Sequence, residues 1–470
     1  MKRVNENTEL TIDSIAYEGV SVARRDGIVY FVRGGVPGDK IIASVLKKKR
    51  RYFEAKIDSI IEPSDDRIDP VCKYFGVCGG CNWQNLKYER QLFWKKQHVI
   101  DAFERIGKIE AGEFGNTFES PDMYHYRNKM EFSFGASRWL SDDEIMSGRE
   151  IPGKYFALGL HVPERYDKVM DIDECYIFGS EKGIYILNEV RKKALELDVK
   201  PWNDRLRTGF LKNLIIRTNS AGDLMLILLT NEFKVENEKL LMKWFLYEIN
   251  NNFGNIKSVI HAVNPTVSPV ATGEIISVTG EQELIEEING IRFRISPFSF
   301  FQTNLSLIDL FMNKIIEYVH PESSEIIWDM YCGTGAISLM ASKHAKEVYG
   351  FELSESSITD AKINAGLNKI ENVSFFSGDL HSGEIKSVFS SIPRPDKIIL
   401  DPPRAGIHRD LIEKILEILP ERIVYVSCNP VTQARDCGLF SVKYSVDKVL
   451  PIDMFPQTYH VESIALLNRV

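Results

Sequence analysis

The stretch RIVYVSCNP, Arg422 to Pro430, runs β-favouring residues into Ser427-Cys428-Asn429-Pro430, where the proline must stop or turn the strand. A cysteine there is either a small core residue, the ordinary role of a free cysteine, or a nucleophile presented at the rim of a sheet. DKIILDPPRAG sets Asp401 at the end of another strand, with Pro402-Pro403 fixing the loop beyond. Asp-Pro-Pro is ordinarily just a turn, but ligands of open parallel sheets bind at the carboxyl ends of the strands, so Asp401 and Cys428 should face one crevice. DMYCGTGAISL, Asp329 to Leu339, follows a strand and opens a helix, and Gly333 and Gly335 permit a tight turn with close backbone approach to a ligand. Glu352 ends the next strand, where an acid can hold ribose hydroxyls. Asp379, in SGDL, follows the third strand, where a carboxylate can meet an adenine edge. Ser338 replaces the third glycine of a pyrophosphate fingerprint, which favours a nucleoside without a diphosphate, such as S-adenosylmethionine. A cysteine in such a crevice can add to C6 of a pyrimidine, making C5 carbanion-like toward an electrophilic methyl group. The proton left on C5 then needs a base, and MFPQTYHVES offers His460 and Glu462.

These residues need a scaffold, and the pattern supplies a multidomain one. Residues 1–61 alternate in short strand-like bursts separated by Arg25-Asp26-Gly27, Gly34-Gly35 and Pro37-Gly38, which predicts a small oligonucleotide-binding (OB)-like β-barrel. Residues 62–285 read as a central α+β domain. It opens with Cys72, Cys78 and Cys81 and an amphipathic helix from about Tyr88 to Ile106, then mixes strands with the helix ENEKLLMKWFLYEIN. From 286 to 470 strands and helices alternate, the pattern of a doubly wound, mostly parallel α/β sheet of Rossmann-like type.

At 44% hydrophobic and 26% charged residues the chain reads as globular, and it has neither an apolar signal region nor an apolar run of about 18 residues, so a cytoplasmic location is expected. In a reducing compartment seven cysteines imply metal binding or catalysis rather than a disulfide framework. The net charge of −8 hides an asymmetry, with twelve Lys/Arg against eight Asp/Glu in residues 1–60. The run Lys47 to Arg51, KKKRR, is ordinarily a solvated loop; its other reading is a patch for nucleic-acid phosphates.

Taken in order, FSFFQTN, DMYCGTG, LDPPRAG, VSCNP and DMFPQTYHVE resemble the RNA 5-methyluridine (uracil-C5) methyltransferases. The resemblance spans nearly the whole chain, because the N-terminal barrel is similar to the TRAM domain carried by many members. It implies that Cys428 is the nucleophile and Glu462 the base. It also implies that Gln302, Tyr331, Glu352 and Asp401, with Asp379, bind S-adenosyl-L-methionine or line the shared site. Phe298, Phe300 and Phe301 could pack around an extruded base, or equally be core. Cys72-x5-Cys78-x2-Cys81 with Cys175 resembles the family's 4Fe–4S site; four thiolates by themselves suit structural zinc as well. Cys332 and Cys437 are given no role. Members act on ribosomal or transfer RNA, and the barrel and cluster lean toward 23S ribosomal RNA; a monomer suffices, and no membrane partner is expected. A cytosine-5 methyltransferase presents its cysteine in a different proline context, and an N6-adenine methyltransferase wants an aromatic residue where Arg404 stands. A non-catalytic RNA-binding iron–sulfur protein would be expected to lack Cys428 or Glu462.

Overall fold

The computed structural model describes residues 7–470 except 252, 268, 269, 381 and 382. The chain forms two compact units, both discontinuous: residues 1–71, 81–123 and 307–470 in one, 72–80 and 124–306 in the other. The expected span 62–285 therefore does not fold as one piece. Its first helix, Tyr88–Ala102, buries Val99 and Ala102 in the same core as Trp328, Leu400 and Tyr425, and so belongs with the C-terminal sheet. At the other end residues 286–306 stay with the second unit, and the C-terminal portion begins at Leu307 rather than at 286.

Five N-terminal strands, Asn7–Ile15, Ser21–Arg25, Ile28–Arg33, Lys40–Lys48 and Tyr52–Glu62, close into a barrel in the order 1-2-3-5-4. Alternation turns Leu10, Ile12, Tyr30, Val32, Ile41 and Val45 inward, and closure leaves no sheet edge open. Lys47 to Arg51 lie exposed where the fourth strand turns into the fifth.

In the same unit five parallel strands, Ile326–Met330, Glu347–Glu352, Val373–Ser377, Lys397–Leu400 and Arg422–Ser427, stand in the order 3-2-1-4-5. Both faces are covered, which is why segments such as KIIL are buried throughout. The chain then adds Tyr444–Ile452 and Glu462–Arg469. The latter inserts antiparallel against the fifth strand, and Glu113–Phe114 pairs at the far edge. The order reverses between the first and fourth strands, and the crevice opens at their carboxyl ends.

The second unit is a seven-stranded, mostly antiparallel sheet. Helices Glu181–Glu196 and Glu236–Tyr247 bury Leu187, Val190, Leu241 and Phe245 in its core, with the hairpin Leu284–Ile288 and Ile291–Ile295 following. This is the expected α+β character. Among the described residues no helix is long and apolar enough to cross a membrane.

One buried ion pair ties helix Tyr88–Ala102 to the segment before the last strand. The Lys95 ammonium meets the Asp453 carboxylate, both side chains fully buried, and also donates to the Phe455 carbonyl at 3.0 Å. Removing one partner strands the other charge in the interior. Lys95→Met, which keeps the apolar stem, is therefore expected to destabilise the first unit by about 3–5 kcal/mol, measured by denaturant unfolding.

Candidate active site

The strand Ile326–Met330 delivers the chain into a strained turn. Tyr331 (φ +68°), Gly333 (φ +53°) and Gly335 (φ +85°) all take positive φ before helix Ala336–Ser342 begins. A Cβ on Gly335 would sit 2.9 Å from the Phe375 ring, so only glycine fits there, whereas at Gly333 nothing lies within 4 Å and the backbone is open to a ligand. The Gly333 N–H donates to the Glu352 carboxylate at 3.2 Å, and the other carboxylate oxygen accepts from the Ser354 N–H at 3.0 Å. Glu352, ending the second strand, thus braces the glycine turn. Ser338, which replaces a fingerprint glycine, holds the strand below, its hydroxyl donating to the buried Asp329 carboxylate. Burial pushes the Asp329 carboxyl up to about 7, with Asp401 and Glu352 adding their negative fields. The Tyr331 hydroxyl is pushed up by burial and then by Asp436, Asp379 and Glu352; Asp379 itself is exposed.

The other half of the crevice is built around Cys428. Ser427 and Asn429 make a tight turn, the Asn429 N–H reaching the Ser427 hydroxyl at 3.1 Å. Asn429 then caps helix Pro430–Phe440 by accepting from the Val431 N–H at 3.1 Å. Pro430 does more than end a strand, since it occupies the first helical position, where its missing N–H costs nothing. The last strand runs antiparallel to the fifth, with Ser427 opposite Ser463, so Glu462 at its start arrives at the carboxyl edge beside Cys428.

The electrostatics make these residues one group. Burial pushes the Cys428 thiol up to about 11; the nearby Glu462 and Asp401 push the same way, and the Arg404 guanidinium opposes them. Burial likewise drives Glu462 well above the usual carboxylate range, helped by Asp401 and opposed by Arg404. Asp401 is pushed up to about 7 by the loss of water around it. Arg404 also reaches His460 Nδ1 at 3.4 Å. A weakly acidic thiol, a buried and a half-buried carboxyl and a guanidinium can together perform nucleophilic addition followed by proton removal.

The segment leading into Glu462 is held from behind. Gln457 adopts φ +66°, and Gln91 grips it twice, its carbonyl accepting the Gln457 N–H and its amide donating to the Gln457 side chain, both at 3.0 Å. The Asn82 and Trp83 N–H groups donate to the Gln457 carbonyl at 2.9 and 3.1 Å.

Gln302 belongs to the second unit. It sits in a segment fastened by Arg217, which donates to the Ser296 and Ser299 carbonyls, and by Asn128, which donates to the Gln302 carbonyl at 2.9 Å. Nearby Phe301 is core, packed on Phe293, while Phe298 is half-buried and Phe300 is 72% exposed. Also in this unit, Cys78 feels the charge of Cys175 and Cys72. The Cys78 sulfur accepts the Gly80 N–H at 3.4 Å, while the Phe75 and Phe178 N–H groups donate to the backbone carbonyls of Cys72 and Cys175 at 3.1 and 3.3 Å. Lys73 and Tyr74 anchor their loop to Asp173 at 2.8 and 2.7 Å. As the side chains stand, no group of three or more His, Cys, Asp or Glu among the described residues is arranged to hold a metal ion.

Residues 281–470 match the family described as tRNA (Uracil-5-)-methyltransferase. Over 97% of its length the chain is 39% identical to the whole of an uncharacterised RNA methyltransferase from Bacteroides thetaiotaomicron. Over 98% it is 37% identical to 99% of another from Porphyromonas gingivalis. The tRNA (uracil-54, C5)-methyltransferase of Pyrococcus abyssi, solved with S-adenosyl-L-homocysteine, superposes with a TM-score of 0.74 at 27% identity, over 98% of this chain and all of that one. The chain belongs to the RNA uracil-5 methyltransferases.

For a member of this family, the site holds two residues to which the sequence motifs assign no part. Arg404 enters the sequence only as a non-aromatic residue after Asp-Pro-Pro; its signal is a cation three positions from Asp401 in a loop aimed at the crevice. Asp329 has its own signal as an acid inside an otherwise apolar strand. The raised carboxyl of Asp401 bears on stability. Its folded value lies above the unfolded one, so the stability it contributes is present in acid and lost as pH rises through about 7. Asp401→Asn is expected to raise Tm above pH 7, with the gain fading as pH falls toward about 4, in thermal melts across that range.

Proposed function

We propose that this RNA methyltransferase uses S-adenosyl-L-methionine to make 5-methyluridine, with Cys428 as nucleophile and Glu462 as base. The observation that carries the reading is the convergence of Cys428, Glu462, Asp401 and Arg404 at one strand edge, each felt in the electrostatics of Cys428. The donor half rests on the glycine turn braced by Glu352, with open space beside Gly333, and on Tyr331, whose hydroxyl feels the charge of Asp379 and Glu352. Gln302 joins this set through the family resemblance. S-adenosyl-L-methionine supplies an electrophilic methyl group when bound.

The steps for the protein's own groups then balance. The Cys428 thiolate, favoured by the Arg404 guanidinium, adds to C6 of uracil and pushes electron density to C5 and the O4 enolate. C5 takes the methyl group, the Glu462 carboxylate removes the C5 proton, and the C6–S bond breaks to return the thiolate. Its raised pKa makes the Glu462 carboxylate a stronger base than an exposed one. The uracil must leave its stack to be reached. The barrel, as a TRAM domain, and Lys47 to Arg51 would grip RNA phosphates.

Ribosomal RNA is the substrate we assign first, from the resemblance of the barrel and the cysteine set. Transfer RNA is the second reading, favoured by the likeness to the Pyrococcus abyssi tRNA enzyme. Cys72, Cys78, Cys81 and Cys175 are assigned to a 4Fe–4S cluster, with zinc the other occupant that thiolates suit; the Gly80 N–H on Cys78, and the charge that Cys72 and Cys175 exert on Cys78, support the grouping. The cluster would brace the fold, since the methylation has no redox step.

Methyl-labelled S-adenosylmethionine with unmodified ribosomal and transfer RNA transcripts should label 5-methyluridine, and the labelled RNA identifies the substrate. Cys428→Ala should lower turnover by at least about 10³-fold while retaining cofactor affinity in calorimetry. Glu462→Gln should accumulate a covalent protein–RNA species on denaturing gels, because the C5 proton then stays. Protein purified without oxygen should carry iron and acid-labile sulfide with broad visible absorption; stoichiometric zinc without sulfide would assign the thiolates to zinc instead.

A further inference from the structure

The barrel sends one side chain to the catalytic turn. Between its first two strands, residues Tyr17–Gly19 form a tight turn in which Glu18, a non-glycine, takes φ +73° and Gly19 φ +79°. A Cβ on Gly19 would press to 3.1 Å from Tyr459 and 3.2 Å from the Trp83 indole nitrogen, so the turn is fitted against the segment that leads to Glu462. Tyr17 points out of this turn. Its ring meets His98 and Tyr459 edge-on, with centroids 6.0 and 6.2 Å apart. Its hydroxyl donates to the Asn429 side-chain carbonyl at 3.3 Å. Asn429 is the residue after Cys428, and its amide in turn donates to the Arg404 carbonyl at 3.0 Å. The Tyr17 hydroxyl also lies within the electrostatic reach of Cys428 and Arg404.

We propose that Tyr17 of the N-terminal barrel is a positioning residue for the methyl-transfer reaction, its hydroxyl fixing Asn429 and thereby the aim of the Cys428 sulfur and the Arg404 guanidinium. The barrel is then a working part of the catalytic site as well as an RNA grip. A strained non-glycine turn persists where surroundings over-determine it, and here those surroundings are the two sides of the site. Asn429 is the relay: one amide caps a helix, holds Arg404 and receives Tyr17.

This inference rests on the reading of Cys428 as nucleophile, so its test has an arm that needs no RNA. Tyr17→Phe keeps the ring contacts and removes only the hydroxyl. Alkylation of Cys428 by iodoacetamide at fixed pH, followed by peptide mass, should change in rate by at least about threefold relative to the parent protein at unchanged Tm. With RNA, kcat should fall about five- to tenfold while KM for RNA stays within a factor of about two. Asn429→Ser, which keeps a helix cap, should lower kcat similarly, and the double variant should lose no more than the worse single one. A rise in KM alone would overturn the proposal and leave the barrel as a tether. An unchanged Cys428 alkylation rate would overturn it as well. Additive losses in the double variant would break the Tyr17–Asn429 relay. Loss of 5-methyluridine from the parent protein, with the alkylation effect intact, would instead count against the functional reading.

Discussion

Placing acids around a thiol, with water largely removed, is the constraint on which the catalytic half depends. Glu462 and Asp401 each raise the cost of ionising Cys428, and burial raises the cost of ionising all three. A thiolate forms in such surroundings only beside a cation, and Arg404 is the guanidinium whose charge draws the Cys428 thiol down. Its position follows from local chemistry. Pro402 and Pro403 stiffen the loop after Asp401, and Asn429 and Thr432 donate to the Arg404 carbonyl, so the backbone under the guanidinium is held from the helix that follows Cys428. The same loop therefore contributes an acid and the cation that offsets it.

Sheet direction accounts for the rest of the geometry. In an all-parallel sheet every strand presents its end to the crevice, and a group at the start of a strand lies on the far edge. Running the last strand backward against Arg422–Ser427 brings a strand's first residue, Glu462, to the carboxyl edge. The pairing of Ser427 with Ser463 fixes the register, and a one-residue slip would turn Glu462 to the other face. Holding that register takes support from outside the sheet. Gln91 and Lys95, one helical turn apart on Tyr88–Ala102, bind Gln457 and Asp453 and so define the segment entering the strand.

The parallel strands, the barrel and the residues that end strands were legible because their signals are local: apolar runs, alternation, and acids or glycines placed just after them. Cys428, Asp401 and Glu352 fall where a strand-ending residue must fall. Other features are set by partners distant in sequence. Nothing near Gln91 announces that it will grip Gln457, and nothing in Tyr88–Ala102 says which sheet it covers; a helix with one apolar stripe fits either unit. Domain boundaries failed for the same reason. A boundary drawn along the chain assumes contiguous units, whereas residues 72–80 leave the first unit and 81–123 return to it. The motif residue Ser338 was legible as a departure from a glycine fingerprint, but its bond to Asp329 required the turn between them to be seen.

The buried acids also explain why the site is so heavily braced. A carboxyl raised by burial subtracts from stability at neutral pH, so Asp329, Asp401 and Glu462 together work against the fold that presents them. Positive φ at Tyr331 and Gln457 adds strain in the same unit. Compensation comes from polar groups whose bonds are saturated away from the crevice: Gln433, fully buried, donates to the Tyr425 and Ser463 carbonyls and accepts from the Ser463 hydroxyl, locking the two strands that carry Cys428 and Glu462. Asp436 accepts from the Tyr425 hydroxyl and the Ile407 N–H, joining the helix after Cys428 to the loop after Asp401. Each bond is worth only about 1 kcal/mol net, but losing one would leave a buried partner unsatisfied, which costs more. Rigidity at the site therefore comes from interior hydrogen bonds, and the reacting groups keep the unfavourable ionisation that makes them reactive.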